Sequence, residues 1–404
     1  MSAVIKISLT FVLILVLLRK KVGIGYVMMA GSAALILLFR MGVPGIFLTV
    51  RYAAVNPVTL ELLLALSLIR MFEIVLREKD VLSAMMTAVK GFFRSRRAVI
   101  VSMPMLIGML PSLGGAYFSA PMVKEATAGL KMSPEEKAFV NYWFRHPWEY
   151  ILPLYPGILL AAAVTHIPLY SLITANFTYS LALLAMGFLI SMRGIGKRIV
   201  PARAAAGGPA RKGNYSKWAS FLPVFSVLFL VVALHIELQY ALMVIVALLL
   251  LIYRYPLKEV WRITRHGFAR EVILLILGVM LFKQAMESSG AVTQLSSFLV
   301  KEGIPVLPIL CVLPFLTGLL TGLTVGFVGS TFPLLVSISG GAPVASMSLA
   351  FAAGFIGVLF SPVHLCLVLT GEYFGADLWG MYKKIIPAGA FIFLAAFIEY
   401  MIMR

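Results

Sequence analysis

The run Met103–Val123, MPMLIGMLPSLGGAYFSAPMV, is apolar enough to lie in a lipid bilayer, yet its middle is built to interrupt a helix. Pro111 removes a backbone donor, and Gly114 and Gly115 readily leave helical dihedrals, so Pro111-Ser112-Leu113-Gly114-Gly115 reads as the tip of a hairpin. A related run begins at Pro314, PFLTGLLTGLTVGFVGSTFPLLV. With a shift of 210 residues, Pro104 aligns with Pro314, Leu106 with Leu316, Gly108 with Gly318 and Tyr117 with Phe327. The same shift pairs Leu110 with Leu320, Leu113 with Leu323, Glu61 with Glu271, Leu64 with Leu274 and Phe72 with Phe282. Leucine matches are cheap in so apolar a chain; the Pro, Gly and Glu matches carry the reading. Two similar broken segments in two halves predict a transporter built from an internal repeat.

Of the 404 residues 61% are hydrophobic and 12% charged, and the mean hydropathy is +1.00. A soluble chain of this length would lack the polar surface to cover itself, so the expected class is an all-α polytopic membrane protein. The net charge of +18 falls in clusters between apolar spans, which fits topology and anionic lipid and argues against a nucleic-acid partner. Cys311 and Cys366 lie in apolar segments far from metal-like spacing and read as small core hydrophobes. The apolar run Ile7–Leu18 is followed by Arg19-Lys20-Lys21, the reverse of a signal peptide, and reads as a first span that starts outside.

Ten spans are expected, near 4–18, 22–39, 57–77, 135–163, 167–191, 216–234, 237–253, 271–287, 343–370 and 383–402, with Val43–Val50 an interfacial connection. Residues 1–192 form the first repeat, with a hairpin at about 98–130 and a broken helix at about 134–163. Residues 218–404 form the second, with a hairpin at about 304–340 and a broken helix at about 343–370. Between them, 193–217 is a flexible basic linker carrying Arg193, Lys197, Arg198, Arg203, Arg211, Lys212 and Lys217 around Gly207-Gly208-Pro209. Placing this linker in the cytoplasm puts the basic clusters at 19–21, 77–97, 124–137, 254–270 and 383–384 inside, and only Lys6, Arg40, Arg51, Lys301 and Arg404 outside. Both termini are then external. Arg94, Arg96, Arg97, Lys124 and Lys131 flank Met103–Val123 on one side, so it enters and returns; the crossing count between Glu61 and Glu271 becomes odd, and the second half is inverted.

Backbone that leaves the helix at membrane depth offers its polar groups to a ligand. Ser112, Gly114, Gly115 and Ser119 do so in the first hairpin, and Thr321, Gly322, Thr324, Gly326, Gly329, Ser330 and Thr331 in the second. Gly108 and Gly318 lie in hairpin arms and read as close-packing positions. Ser133-Pro134-Glu135-Glu136 opens a helix with a capping box. About 12 residues on, ~18 Å deep, the helix meets Arg145-His146-Pro147-Trp148-Glu149, where Pro147 breaks it. An arginine at that depth costs at least ~2.5–3.5 kcal/mol unless it has a partner or a polar cavity. Arg145 therefore reads as an anion receptor, with His146 or Glu149 carrying a proton; the blander reading is an internal Arg145–Glu149 pair. The second broken helix opens at Pro343 and is interrupted either at Gly354-Phe355-Ile356-Gly357 or at Ser361-Pro362, with His364 nearby. Arg70–Glu73 and Lys283–Glu287 read as structural pairs, and Asn176 and Thr178 as polar lining of a span.

On the hairpins and the run Asn141-Tyr142-Trp143-Phe144-Arg145-His146-Pro147-Trp148-Glu149, the chain resembles the ion transporter superfamily, which includes gluconate-type permeases, divalent anion/sodium symporters and citrate transporters. Within it, that run looks like a prokaryotic integral-membrane family of unknown function. The resemblance implies an elevator-type carrier, a homodimer in the cytoplasmic (inner) membrane with a scaffold domain and a mobile, substrate-carrying one. The hairpin tips of the anion/sodium symporters carry Ser-Asn-Thr, whereas this chain has Gly329-Ser330-Thr331 and no Asn at either tip. The expected function is secondary active transport of a small organic anion, a carboxylate, coupled to H⁺ or Na⁺, with no other cofactor. Substrate contacts are expected from Ser112, Gly114, Gly115, Arg145, His146, Ser330 and Thr331. Coupling-ion contacts are expected from Thr321, Thr324, Gly326, Gly329, Glu149, Ser361 and His364. The alternative is a cation/proton antiporter. With no catalytic carboxylate pair, metal-ligand His cluster, nucleophile elbow or nucleotide-binding loop in the sequence, an enzyme or an ATP-driven pump is not expected.

Overall fold

A computed structural model describes residues 3–20, 22–81, 84, 85, 88, 95–109, 115–192, 219–303 and 305–403. Among these the structure is helical and contains no strand. The chain begins with α1 (Ala3–Arg19), α2 (Ile24–Leu38), α3 (Val43–Val55) and α4 (Pro57–Glu78). Asn56 ends α3 and caps α4, its Oδ1 accepting from Val58 N at 2.9 Å, with Pro57 at the first helical position. The expected connection at 43–50 is thus a helix of 13 residues, because its apolar sequence runs on to Val55 before a cap appears.

Two arms follow, α5 (Arg96–Gly108) and α6 (Gly115–Ala126). The expected first tip, including Ser112 and Gly114, lies outside the described residues, as does the basic linker. Next, α7 (Pro134–Trp143) opens with the expected capping box: Ser133 N donates to Glu136 Oε2 at 3.0 Å and Glu136 N to Ser133 Oγ at 3.2 Å. The adjoining Glu135 carboxyl is held below its usual range, chiefly by the Ser133 side chain. The helix stops at Trp143; a 3₁₀ turn spans Pro147–Tyr150, and α8 (Pro156–Thr165) resumes behind Pro156. The long α9 (Leu169–Ser191) closes this half.

The second half starts with α10 (Leu222–Leu228), which runs into a π-turn at Phe229–Ala233, then α11 (Leu238–Ile252), the amphipathic α12 (Leu257–Gly267), α13 (Arg270–Ser288) and α14 (Ala291–Lys301). The hairpin arms α15 (Val306–Thr321) and α16 (Thr324–Ile338) are joined by Gly322-Leu323 alone. Gly322 takes the left-handed conformation (φ 64°) that lets so short a link reverse the chain. Finally come α17 (Val344–Phe360), α18 (Leu365–Phe374) and α19 (Leu378–Met403). The segment Gly354–Gly357 lies inside α17, so the second interruption is at Ser361–His364.

Glycines set the tightest packing. A Cβ at Gly318 would overlap the Gly354 carbonyl oxygen, and one at Gly357 the Phe315 carbonyl, so α15 lies backbone to backbone on α17. A Cβ at Gly108 would likewise overlap the carbonyl of Arg145, which seats α5 against the first break. Both arm glycines are packing residues, as their positions predict.

Among the described residues, three stretches are long and apolar enough to cross a membrane: Leu169–Ser191, the two-part Val344–Phe374 and Leu378–Met403. Shorter apolar helices surround them. The outer surface is correspondingly apolar, with Leu37, Val43, Leu251 and Ile402 each more than 70% exposed.

Two intrahelical pairs differ from expectation. Glu73 pairs with Arg77, one full turn on, at 2.6 Å rather than with Arg70. Lys283 turns inward, 9% exposed, and donates to His166 Nε2 at 2.8 Å, a cross-helix acceptor that sequence spacing could not reveal. Asn176 is a core bridge, donating to the Tyr150 carbonyl at 3.2 Å and accepting from Ser348 at 2.6 Å, while Thr178 donates to Glu399 at 2.5 Å.

Candidate functional site

The two broken helices cross at their breaks. The first supplies Arg145, His146 and Glu149, because Pro147 and Pro153 prevent α7 from continuing. The second supplies His364, the N-cap of α18, and Cys366 two residues later, because Pro362 ends α17. His146 Nε2 and His364 Nε2 stand 3.1 Å apart, although 218 residues separate them. The Sγ of Cys366 and the two histidine nitrogens all lie within 4.8 Å of one another. The Glu149 carboxylate completes the group, with Oε1 3.7 Å from His146 Nε2.

The second hairpin tip closes over this group. Thr324, first residue of α16, donates from Oγ1 to Glu149 Oε2 at 2.8 Å. His364 Nδ1 donates to the Gly322 carbonyl at 2.7 Å, and Ser361 sits beside Gly322. Thr321 Oγ1 bonds within the tip to Leu323, and Gly326 faces Thr321 so closely that a Cβ there would stand 3.0 Å from Thr321 Oγ1. Thr321, Thr324, Gly326, Ser361 and His364 thus gather at one place with Glu149 and His146. Gly329, Ser330 and Thr331 lie further along α16. Gly329 packs on Val279, while Ser330 and Thr331 donate to the carbonyls of Gly326 and Phe327 at 2.7 Å. Ser330 stands ~9 Å beyond Thr324 by helical rise, so these three belong to the packed arm rather than to the tip. Gly115 opens α6 at the edge of the undescribed first tip.

Arg145 is 4% exposed, and among the described residues neither its Nε nor its Nη1 has a hydrogen-bond partner. The anticipated pair with Glu149 does not form: after the break Glu149 turns to Thr324 and His146 instead. Arg145 directly precedes His146, a member of the His–Cys group, in the same break. Nearby, Asn141 Oδ1 and Tyr150 Oη are also buried without partners. Four unpartnered polar atoms between residues 141 and 150 leave this break short of hydrogen-bonding partners, and for the guanidinium short of negative charge.

Cys366 is the residue that sequence reasoning placed wrongly. Its apolar neighbours suggested a small hydrophobe, but the break turns its thiol onto two histidines. Tyr142 and Tyr155 were missed too: Tyr142 Oη donates to the Leu359 carbonyl at 2.9 Å, and Tyr155 Oη to the Gly108 carbonyl, tying each break to a neighbouring element. Trp148 Nε1 adds a bond to the Met105 carbonyl at 2.8 Å. A cleft of about 520 Å³ opens beside Trp148, walled by Ile151, Phe177, Phe225 and Phe229. Its walls are apolar and suit a hydrocarbon better than an anion.

These features define a helical protein with apolar outer faces, whose polar residues converge where two interrupted helices meet a hairpin tip. The chain belongs to the family described as protein of unknown function DUF401, whose model matches residues 2–403. No curated protein matches it.

Proposed function

We propose that this protein is a secondary active transporter of the cytoplasmic membrane, moving a small organic anion in exchange for work done by H⁺ or Na⁺. The observation that carries the reading is Arg145: a guanidinium nine-tenths buried at the break of the first interrupted helix, two of its donors without partners among the described residues. A buried unpaired cation is costly, and a carboxylate brought by a substrate would supply both the charge and the acceptors it lacks.

The architecture in this reading is a pair of inverted five-span repeats working as an elevator, as in the ion transporter superfamily that the chain resembles. Supporting it, α5 and α15 start at Arg96 and Val306, 210 residues apart, the shift already present in the sequence. By the same shift α4 matches α13, α6 matches α16, α8 matches α18 and α9 matches α19 to within a few residues. Contacts exchange accordingly: α2 packs on α13 and α11 on α4, while α8 packs on α16 and α18 on α6. Gly108 faces the carbonyl of residue 145 as Gly318 faces that of residue 354. A homodimer held by the scaffold elements completes the proposal.

Uptake into proteoliposomes, driven by a proton or sodium gradient and screened over organic anions, tests it. Arg145→Ala is expected to abolish uptake; undiminished uptake sinks the anchor role. A second reading, a cation/proton antiporter, is favoured by Glu149, a carboxylate that accepts from Thr324 and stands beside His146 at the crossing. That reading predicts ion-driven proton movement in vesicles lacking organic solute.

A further inference from the structure

The two histidines at the crossing are oriented in a way that neutral imidazoles do not tolerate alone. His146 Nδ1 lies 2.7 Å from the Tyr142 carbonyl and His364 Nδ1 2.7 Å from the Gly322 carbonyl. A carbonyl oxygen only accepts, so both Nδ1 atoms carry protons. In the neutral rings both Nε2 atoms are then bare lone pairs, and they face each other at 3.1 Å. Something electron-poor belongs between them. The Cys366 sulfur converges on the same point, within 4.8 Å of both nitrogens, and the Glu149 carboxylate is 3.7 Å from His146 Nε2.

We propose that His146, His364 and Cys366 form a transition-metal site of the Zn²⁺ class, with Glu149 in reach as fourth ligand. Two nitrogens bound ~2.0–2.1 Å from one tetrahedral zinc stand about 3.3 Å apart, close to the separation seen here. Imidazole and thiolate select zinc and its neighbours over Na⁺, Mg²⁺ or Ca²⁺, which prefer oxygen shells. The carbonyls behind each Nδ1 are the outer-shell partners that fix ring orientation in metal-binding histidines. The thiolate and the carboxylate together offset the two charges of the ion, so Arg145 keeps its single positive charge for another ligand. The proposal stands on this geometry and not on the transport reading. A bound ion would join residue 146 of one broken helix to residues 364 and 366 of the other.

The test uses the full-length protein in detergent, stripped of metal and titrated with Co²⁺ and then Zn²⁺. One Co²⁺ per chain is expected, with the near-ultraviolet thiolate charge-transfer band and the intense visible bands of tetrahedral coordination, and Zn²⁺ should displace it. Cys366→Ser, nearly isosteric, should abolish the charge-transfer band, whereas Cys311→Ser should leave it intact. His364→Gln should weaken binding; if it fails to fold by size-exclusion chromatography, Cys366→Ser still decides. Absence of stoichiometric Co²⁺, or a band that persists in Cys366→Ser, overturns the proposal and leaves the histidine pair to a shared proton.

Discussion

Arg145 illustrates how one residue can be read from sequence and yet not fully understood there. A cation ~18 Å along a helix that begins at a capping box must be deep, whatever surrounds it. What the sequence could not supply was its partner, since the obvious candidate one turn on, Glu149, is claimed by Thr324 from 175 residues away. Cys366 is the converse case. His364, two residues before it, is the one local feature that separates it from Cys311, and only the meeting of two chain segments adds His146. The cost of burying Arg145 makes a prediction opposite to most core substitutions. Arg145→Met should unfold at a higher temperature than the parent while losing uptake, because it removes an uncompensated charge. Equal loss of stability and uptake would mean that the arginine holds the fold and nothing else. At the other end of α7, the lowered Glu135 carboxyl adds stability at neutral pH that disappears as pH falls through its folded value. Glu135→Gln should therefore flatten the acid limb of the stability profile slightly and leave the neutral region almost unchanged; a steeper limb would contradict that sign.

Among the elements, the breaks and the second hairpin were legible and the connections between them less so. Proline and paired glycine mark an interruption in any apolar run, so the arms α15 and α16 and the gap between α7 and α8 appear where expected. The second break was ambiguous because Gly354 and Gly357 look like helix breakers but serve as a seat for α15. Glycine in a helix has two uses, and only the neighbouring helix tells them apart. Gly318→Val tests this directly: its side chain must displace the Gly354 carbonyl, at an overpacking cost of about 1–3 kcal/mol or more in reversible unfolding. The exposed Gly303→Val, where a Cβ meets nothing, controls for added bulk, although its left-handed backbone (φ 62°) adds local strain.

At the scale of the whole molecule, composition settles that the chain suits a lipid environment, and the arrangement of its halves is where inference goes furthest. The positive-inside pattern was the sequence's strongest statement on topology, but its basic linker, 193–217, falls outside the described residues. The proposed inversion makes a prediction independent of substrate. Single cysteines at Gly115 and Thr324, in a background with Cys311 and Cys366 replaced by Ser, should be labelled by an impermeant maleimide from opposite sides of sealed vesicles. Labelling of both from one side under every gradient tried would rule out the inverted arrangement.

The two-residue link Gly322-Leu323 carries one more consequence. Two latches hold the tip it forms, Gly322 to His364 and Thr324 to Glu149, and both latches end on residues of the central cluster. Opening of the tip and occupancy of the cluster therefore draw on the same bonds. Whatever draws Glu149 off Thr324 or turns His364 away from Gly322 loosens the tip, and by reciprocity whatever pulls the tip open changes the affinity of the cluster by the same factor. In the proposed carrier such a tip would need no separate sensor, because the residues that bolt it are those of the cluster itself.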